Sequence, residues 1–270
     1  MTANDTDMAQ SRPYDPADSV SVGVYSFPRS GNAWLRSILA AGMGMEDVKQ
    51  GVRRFLPDAA NHAVLQHGWP RQGKRWFFHK SHHMVRLLDA SGQEVPVDKI
   101  LYIHRDPLDV FVSYLNFLSA NVGNEAGRRS GFGIESVDAL SPARMEWFVC
   151  RWIADGALQP KNRKFGSWFE NVKTFRDRAA AGEPVHVIRY EDLKTDFDGT
   201  VAEIFRFLGI GAIDTDQAYR LADLNTAMDG KMAWRRESAT YRRYLSEDQI
   251  RRFAMVWEAE LAEIGYQYDL

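Results

Sequence analysis

The sequence is short of several things, and each shortage removes a class of protein. It has one cysteine, Cys150, in 270 residues, so no internal disulfide frames the chain and a reducing compartment is expected. It has almost no net charge: 34 lysines and arginines stand against 36 aspartates and glutamates, a balance of −2. A chain so balanced lacks the global basic field of a non-specific nucleic-acid binder. No stretch approaches the roughly 20 consecutive apolar residues of a membrane-crossing helix. The polar opening MTANDTDMAQSRPYDPADS lacks the basic start and apolar core of a secretory signal. The expectation is a soluble, cytoplasmic protein with neither nucleic acid nor membrane as partner. Internal repeats and low-complexity tracts are missing as well.

What is present is ordinary for a globular fold, with 45% hydrophobic and 26% charged residues. Residues 1–18 read as a flexible tail and 19–270 as a single domain. Beyond the tail, apolar β-rich runs alternate with helical patterns: SVGVYSF then NAWLRSILAAGM; RWFFHK; KILYIHR then PLDVFVSYLNFL; PVHVIRY then DLKTDFDGTVAEIFRFLG. Short apolar strands separated by helices predict an α/β fold, a central, mostly parallel sheet flanked by helices. Helical inserts interrupt it, among them PARMEWFVCRWIADGAL, where Cys150 reads as a packing residue. Residues 119–142 are rich in Gly, Ser and Asn and read as a lid, a binding loop or a partly disordered segment. Ser246 is the expected N-cap of a C-terminal amphipathic helix.

In open α/β sheets, ligands sit beyond the carboxyl ends of the strands, and there this sequence turns polar. Arg29, Ser30, Gly31 and Asn32 follow the first strand. His79, Lys80, Ser81, His82 and His83 follow the second. His104, Arg105 and Asp106 follow the third, and Arg189, Tyr190 and Glu191 the fourth. Four such ends predict one anionic ligand. At the first junction Gly31 lets the backbone approach an anion, and the following helix offers unpaired N–H groups at the positive end of its dipole. The alternative is that Ser30 or Asn32 only caps that helix. The kinase signature G-x-x-x-x-G-K-[ST] is absent, as is the dinucleotide signature G-x-G-x-x-G. His79, His82 and His83 have no neighbouring cysteine or carboxylate in the segment, so no metal is expected.

SFPRSGNAW resembles the P-loop-like 5′-phosphosulfate loop of sulfotransferases that use 3′-phosphoadenosine 5′-phosphosulfate (PAPS), commonly a form of YPKSGTTW. HKSH resembles the segment carrying that family's catalytic histidine. ILYIHRDPLDVFVSYLNF resembles its 3′-phosphate motif, and FGSWFENV with VIRYEDLK its adenine-contacting region. The resemblance covers roughly residues 20–250. It implies PAPS as donor, 3′,5′-bisphosphoadenosine (PAP) as product and a hydroxyl-bearing small molecule as acceptor, without a metal. It further implies that Arg29, Ser30, Gly31, Asn32 and Ala33 hold the phosphosulfate, and that Trp34 and Tyr190 meet the adenine. Arg105 and Ser113 would grip the 3′-phosphate. His82 would be the general base, with His83 competing for the role, while Lys80 and Arg29 stabilise the transferring group.

Two departures stand out. Asn32-Ala33 replaces the usual pair of threonines. The cofactor-closing Arg-Lys-Gly run is replaced by GKMAWRRESATYRRYLSEDQ, where Arg235 and Arg236 are the candidates for the 3′-phosphate. Residues 230–252 carry seven cations against three acids, which equally describes a solvated basic face. The inserts around Trp147, Trp152 and Trp168, with loop 119–142, are expected to build the acceptor pocket, while their aromatics are equally expected of core packing. A nucleotide kinase or NTPase-like protein and a non-catalytic PAPS-binding scaffold are the competing functions. No oligomeric state is implied.

Overall fold

Five strands form because each brings a short run of β-branched or aromatic residues bounded by turn-forming ones. In the computed structural model, which describes residues 13–84, 88–120, 134–158, 164–227 and 237–269, these are β1 (Ser19–Tyr25), β2 (Trp69–Arg71), β3 (Lys74–Ser81), β4 (Lys99–His104) and β5 (Val185–Arg189). Their order across the sheet is β2-β3-β1-β4-β5. β1 pairs in parallel with β3 on one side and β4 on the other, and β4 with β5. The mostly parallel sheet is as expected. Sequence reading missed β2, an antiparallel edge strand joined to β3 by Gln72-Gly73. Both turn residues have positive φ, 52° and 74°, the requirement of a two-residue hairpin loop twisted like its strands. Pro70 is tolerated in β2 because an edge strand has free ladder positions.

The helices are α1 (Asn32–Gly42), α2 (Val48–Phe55), α3 (Pro107–Ala120), α4 (Pro142–Asp155), α5 (Trp168–Ala180), α6 (Tyr190–Thr195), α7 (Phe197–Leu208), α8 (Thr215–Ala227), α9 (Glu247–Val256) and α10 (Glu258–Ile264), with a 3₁₀ turn at Thr240–Arg243. Two cores result. Val20, Val22 and Val24 of β1 pack with Leu35 and Ile38 of α1 and with Ile204 and Phe205 of α7. Tyr25 joins Tyr102, Phe111, Trp152, Trp168 and Phe175 in the other. Gly23 has no side chain because the Tyr25 ring folds over it: a β-carbon there would lie 2.1 Å from that ring. β1, flanked by β3 and β4, is where the winding reverses, the position at which such sheets open a crevice.

Caps fix two helices near this crevice. Ser167 and Glu170 form a reciprocal capping box at α5, and Ser246 with Gln249 does so at α9. Residues 13–18, the part of the expected tail inside the described residues, are docked. The Tyr14 ring meets Phe77 edge-on at 5.6 Å, and its hydroxyl donates to Asp98 at 3.2 Å. Cys150 is exposed rather than packed, because the buried stripe of α4 runs through Met145, Phe148, Val149 and Trp152. No helix among the described residues is long and apolar enough to cross a membrane.

His79 is fully buried, with neither ring nitrogen hydrogen-bonded, and burial pushes its imidazole down from 6.5 to about 4. As pH falls below 6.5 the unfolded chain binds a proton that the folded chain refuses, so stability falls with pH. His79→Leu is expected to remove about 3 kcal/mol of the loss between pH 7 and pH 4. Urea denaturation of both proteins across that range measures it.

Candidate active site

The polar residues after β1 form a strained turn. Arg29 (φ 73°) and Gly31 (φ 98°) both adopt the left-handed region, in which an arginine is held at a cost of order 1–3 kcal/mol. Alternating handedness points successive backbone N–H groups to one side, making an anion-binding concavity. Gly31 is the N-cap of α1 and no side chain caps the helix. The capping alternative for Ser30 and Asn32 is therefore excluded, and the first N–H groups of α1 are left for a ligand. Gly31 also lies against Tyr190, whose ring would be 2.4 Å from any added β-carbon.

A cavity of about 780 Å³ opens over this turn. On its wall are Arg29, Gly31, Asn32, Ala33, Trp34, Lys80, His82, Arg105, Ser113 and Tyr190, ten of the thirteen candidate residues. Ser30 is not among them: its side chain is fully buried and its hydroxyl makes no hydrogen bond. Arg235 and Arg236 lie outside the described residues. Of the other strand-end groups, His79 and His104 are core residues, and the Arg189 guanidinium lies 4.4 Å from the centre of the Tyr266 ring. Among the described residues, no group of three potential metal ligands comes together.

One half of the cavity is built on Arg105 at the end of β4. Its Nη2 donates to Asp109 Oδ2 at 3.3 Å and to the Glu237 carbonyl at 2.7 Å. The guanidinium sits 4.6 Å over the Tyr190 ring, and Trp34 meets Tyr190 edge-on at 5.5 Å. Arg105 Nε and Trp34 Nε1 are buried donors without partners. Orphaned buried donors beside a cavity are what an absent acceptor-rich ligand leaves behind. From α3, Ser113 Oγ accepts from Arg29 Nε at 3.2 Å. These residues fit a nucleotide that is phosphorylated at two positions.

The other half centres on His82. Its Nδ1 lies 2.7 Å from the Ser26 carbonyl, which only accepts, so in the neutral ring the proton sits on Nδ1 and Nε2 carries the free lone pair. Burial and the Lys80 cation hold the imidazole well below its ordinary value. His83 is not on the cavity wall. Lys80 Nζ pairs with Asp58 Oδ2 at 2.6 Å, and the backbone locks that pair: Lys80 N–H donates to the Pro57 carbonyl at 2.8 Å and Ala59 N–H to that of Lys80 at 3.0 Å. Burial pushes the ammonium down, and the carboxylate opposes it. Burial alone would raise the Asp58 carboxyl, but Lys80 holds it below the usual range.

Sequence reading missed Asp58, since Pro57-Asp58 reads only as a turn. For the insert tryptophans the core-packing alternative holds. Trp152 and Trp168 are core residues and Trp147 is exposed; none lines the cavity. Tyr114, Phe117 and Phe165 do, with Pro28. Tyr114 and Phe117 are one helical turn apart on α3, inside the motif that carries Ser113, so a helical wheel of that motif contains the signal. Most of the expected loop 119–142 lies outside the described residues. Asn32 donates its Nδ2 to the Val24 carbonyl at 3.1 Å and to Ser26 Oγ at 3.3 Å. Its amide N–H groups thus face the strand and Ser26.

The family model described as "Sulfotransferase domain" matches residues 21–265. Among curated proteins, bovine sulfotransferase 1E1 is 26% identical over 199 residues, 71% of this chain and 59% of the relative. Mouse sulfotransferase 2A2 is 24% identical over 217 residues, 78% and 67% of the two chains. The chain thus spans about three fifths to two thirds of the length of these relatives. Among solved structures, mouse sulfotransferase SULT7A1 complexed with PAP has a TM-score of 0.59 at 18% identity, covering 98% of this chain and 92% of its own. Retinol dehydratase in a complex with retinol and PAP gives 0.58 at 16% identity, with 95% and 84% covered. At such identities these two structures establish the fold.

Gly31→Ala is expected to cost about 1–3 kcal/mol beyond the effect of Gly182→Ala, the cost of forcing a methyl group against Tyr190. Gly182 has φ 82° with nothing within 4 Å of an added β-carbon, so it reports backbone strain without the clash. Chemical denaturation of the two variants gives the difference.

Proposed function

The chain belongs to the sulfotransferase domain family, and from that premise we propose that it transfers a sulfuryl group from PAPS to a hydroxyl of a small-molecule acceptor. The observation that carries the reading is the convergence of Arg29, Lys80, His82, Arg105 and Ser113 on one cavity wall. Arg105 and Ser113 bind the 3′-phosphate, a dianion suited to a guanidinium fork. Trp34 and Tyr190 flank the adenine. The N-terminus of α1 and Arg29 hold the 5′-phosphosulfate.

The acceptor hydroxyl lies between Pro28, Tyr114, Phe117 and Phe165 and points at His82. Its oxygen attacks sulfur as the proton passes to His82 Nε2. The sulfur–oxygen bond to the 5′-phosphate breaks, and PAP leaves with that electron pair. Lys80 and Arg29 stabilise the charge that builds on the sulfuryl group and the departing oxygen. Asp58 keeps Lys80 charged and aimed. A nucleotide kinase reading is disfavoured because Asn32-Ala33 stands where a phosphate-loop lysine and hydroxyl belong.

PAP is expected to raise the melting temperature, and Arg105→Ala to abolish the rise; a stronger response to ATP with magnesium than to PAP contradicts the reading. His82→Ala is expected to lower kcat about 10²–10⁴-fold at unchanged PAP affinity, with His83→Ala near wild type. Equal, mild losses would place the base elsewhere. Because the surroundings hold His82 below 6.5, the acid limb of the kcat/KM profile falls below that pH.

A further inference from the structure

The cavity wall carries more positive charge than the donor needs. Among the described residues, Arg29, Arg36, Lys49, Arg53, Lys80 and Arg105 line it against one acid, Asp58. On the reading above, which this inference rests on, Arg29, Lys80 and Arg105 serve PAPS. Arg36 is committed to structure, since its Nη2 donates to the Val52 and Leu56 carbonyls at the end of α2. Lys49 and Arg53 of α2 remain, both exposed, with no ion-pair partner among the described residues.

Lys49 is placed at a cost, and Arg53, in the last turn of α2, shares it only through their mutual repulsion. They stand four apart on one helix face, where like charges repel. Lys49 lies in the first turn of α2, beside the positive end of the dipole, and that turn contains no acid. The nearby Asp47 is occupied as N-cap, accepting from Gln50 N–H at 3.0 Å. Lysines and arginines mostly stand on open surface. These two face a cavity in which Arg36 adds to the repulsion, and an anion entering there relieves it.

The position of the patch indicates which anion. Arg36 joins the Lys49 and Arg53 helix to α1, and α2 leads directly through Leu56 and Pro57 to Asp58, the partner of Lys80. The two cations therefore line the cavity from the element that leads to the partner of Lys80. The aromatic residues Tyr114, Phe117 and Phe165 supply its apolar lining. We propose that the acceptor itself is anionic: a hydroxyl compound with an apolar body and a carboxylate, phosphate or sulfate ester, its anion held by Lys49 and Arg53 while its hydroxyl meets His82.

The test uses matched pairs of hydroxyaryl and hydroxyalkyl compounds, each a carboxylate and its primary amide. Sulfated product is read by mass spectrometry at saturating PAPS, with phosphate and sulfate monoesters of the same bodies as further arms. The wild type is expected to favour the anionic member by about tenfold or more, and Lys49→Gln/Arg53→Gln to reduce that preference to within about twofold. PAP affinity, followed by titration, stays unchanged in the double variant. Equal use of both members, turnover of neither in every pair, or a preference that survives the double substitution overturns the proposal. So does a matching loss of PAP affinity, which would assign the two cations to the donor. If PAP fails to bind the wild type, the sulfotransferase reading falls instead.

Discussion

The site depends on burying one cation. Arg105 is only 5% exposed, and a guanidinium is taken out of water only where partners replace its hydration. Asp109 supplies the counter-charge from the first turn of α3. The same carboxylate accepts Ala239 N–H at 2.9 Å and Tyr241 N–H at 3.2 Å, while Arg105 reaches the Glu237 carbonyl. The Tyr190 ring, from the start of α6, lies beneath the guanidinium. One buried pair thus joins the ends of β4 and β5, the start of α3 and the segment from Glu237 to Tyr241. On the proposed function, these are the pieces that must keep register for a phosphorylated nucleotide to be read at two points.

The first junction meets the same demand with backbone. A left-handed arginine and a left-handed glycine cost conformational energy, yet they leave the N-terminus of α1 uncapped and directed at the cavity. Tyr190 couples the two devices, since it touches both Gly31 and Arg105. Around His82, the Ser26 carbonyl sets the tautomer of the ring, and Asp58 holds the Lys80 ammonium in place. Asn171 carries the support further. Its Nδ2 donates to the Phe165 and His82 carbonyls, and its Oδ1 accepts from the Tyr102 hydroxyl.

Much of this was legible in the chain. Strand runs ending in Arg29, Lys80, Arg105 and Tyr190 identify the crevice because parallel sheets expose their carboxyl ends together. What stayed hidden depends on contacts between distant segments. Asp58 and Lys80 are separated by 22 positions and Asp109 from Tyr241 by 132, so no local pattern reveals either pair. The tryptophans stayed open between two readings for a related reason. Large aromatics at helical spacing serve a core as readily as a pocket, and Trp152 and Trp168 went to the core. Edge strand β2 is three residues long, too short for a periodicity, and only its Gln72-Gly73 turn announces it.

The central claim is that Arg105 and its neighbours read a phosphate at the 3′ position. Calorimetric titration of PAP against adenosine 5′-monophosphate, which lacks only that group, tests it most directly. The account predicts that the monophosphate binds the wild type at least about a hundredfold more weakly, roughly 2.7 kcal/mol, and that Arg105→Ala nearly erases the difference. Equal affinity of the wild type for the two nucleotides would contradict it.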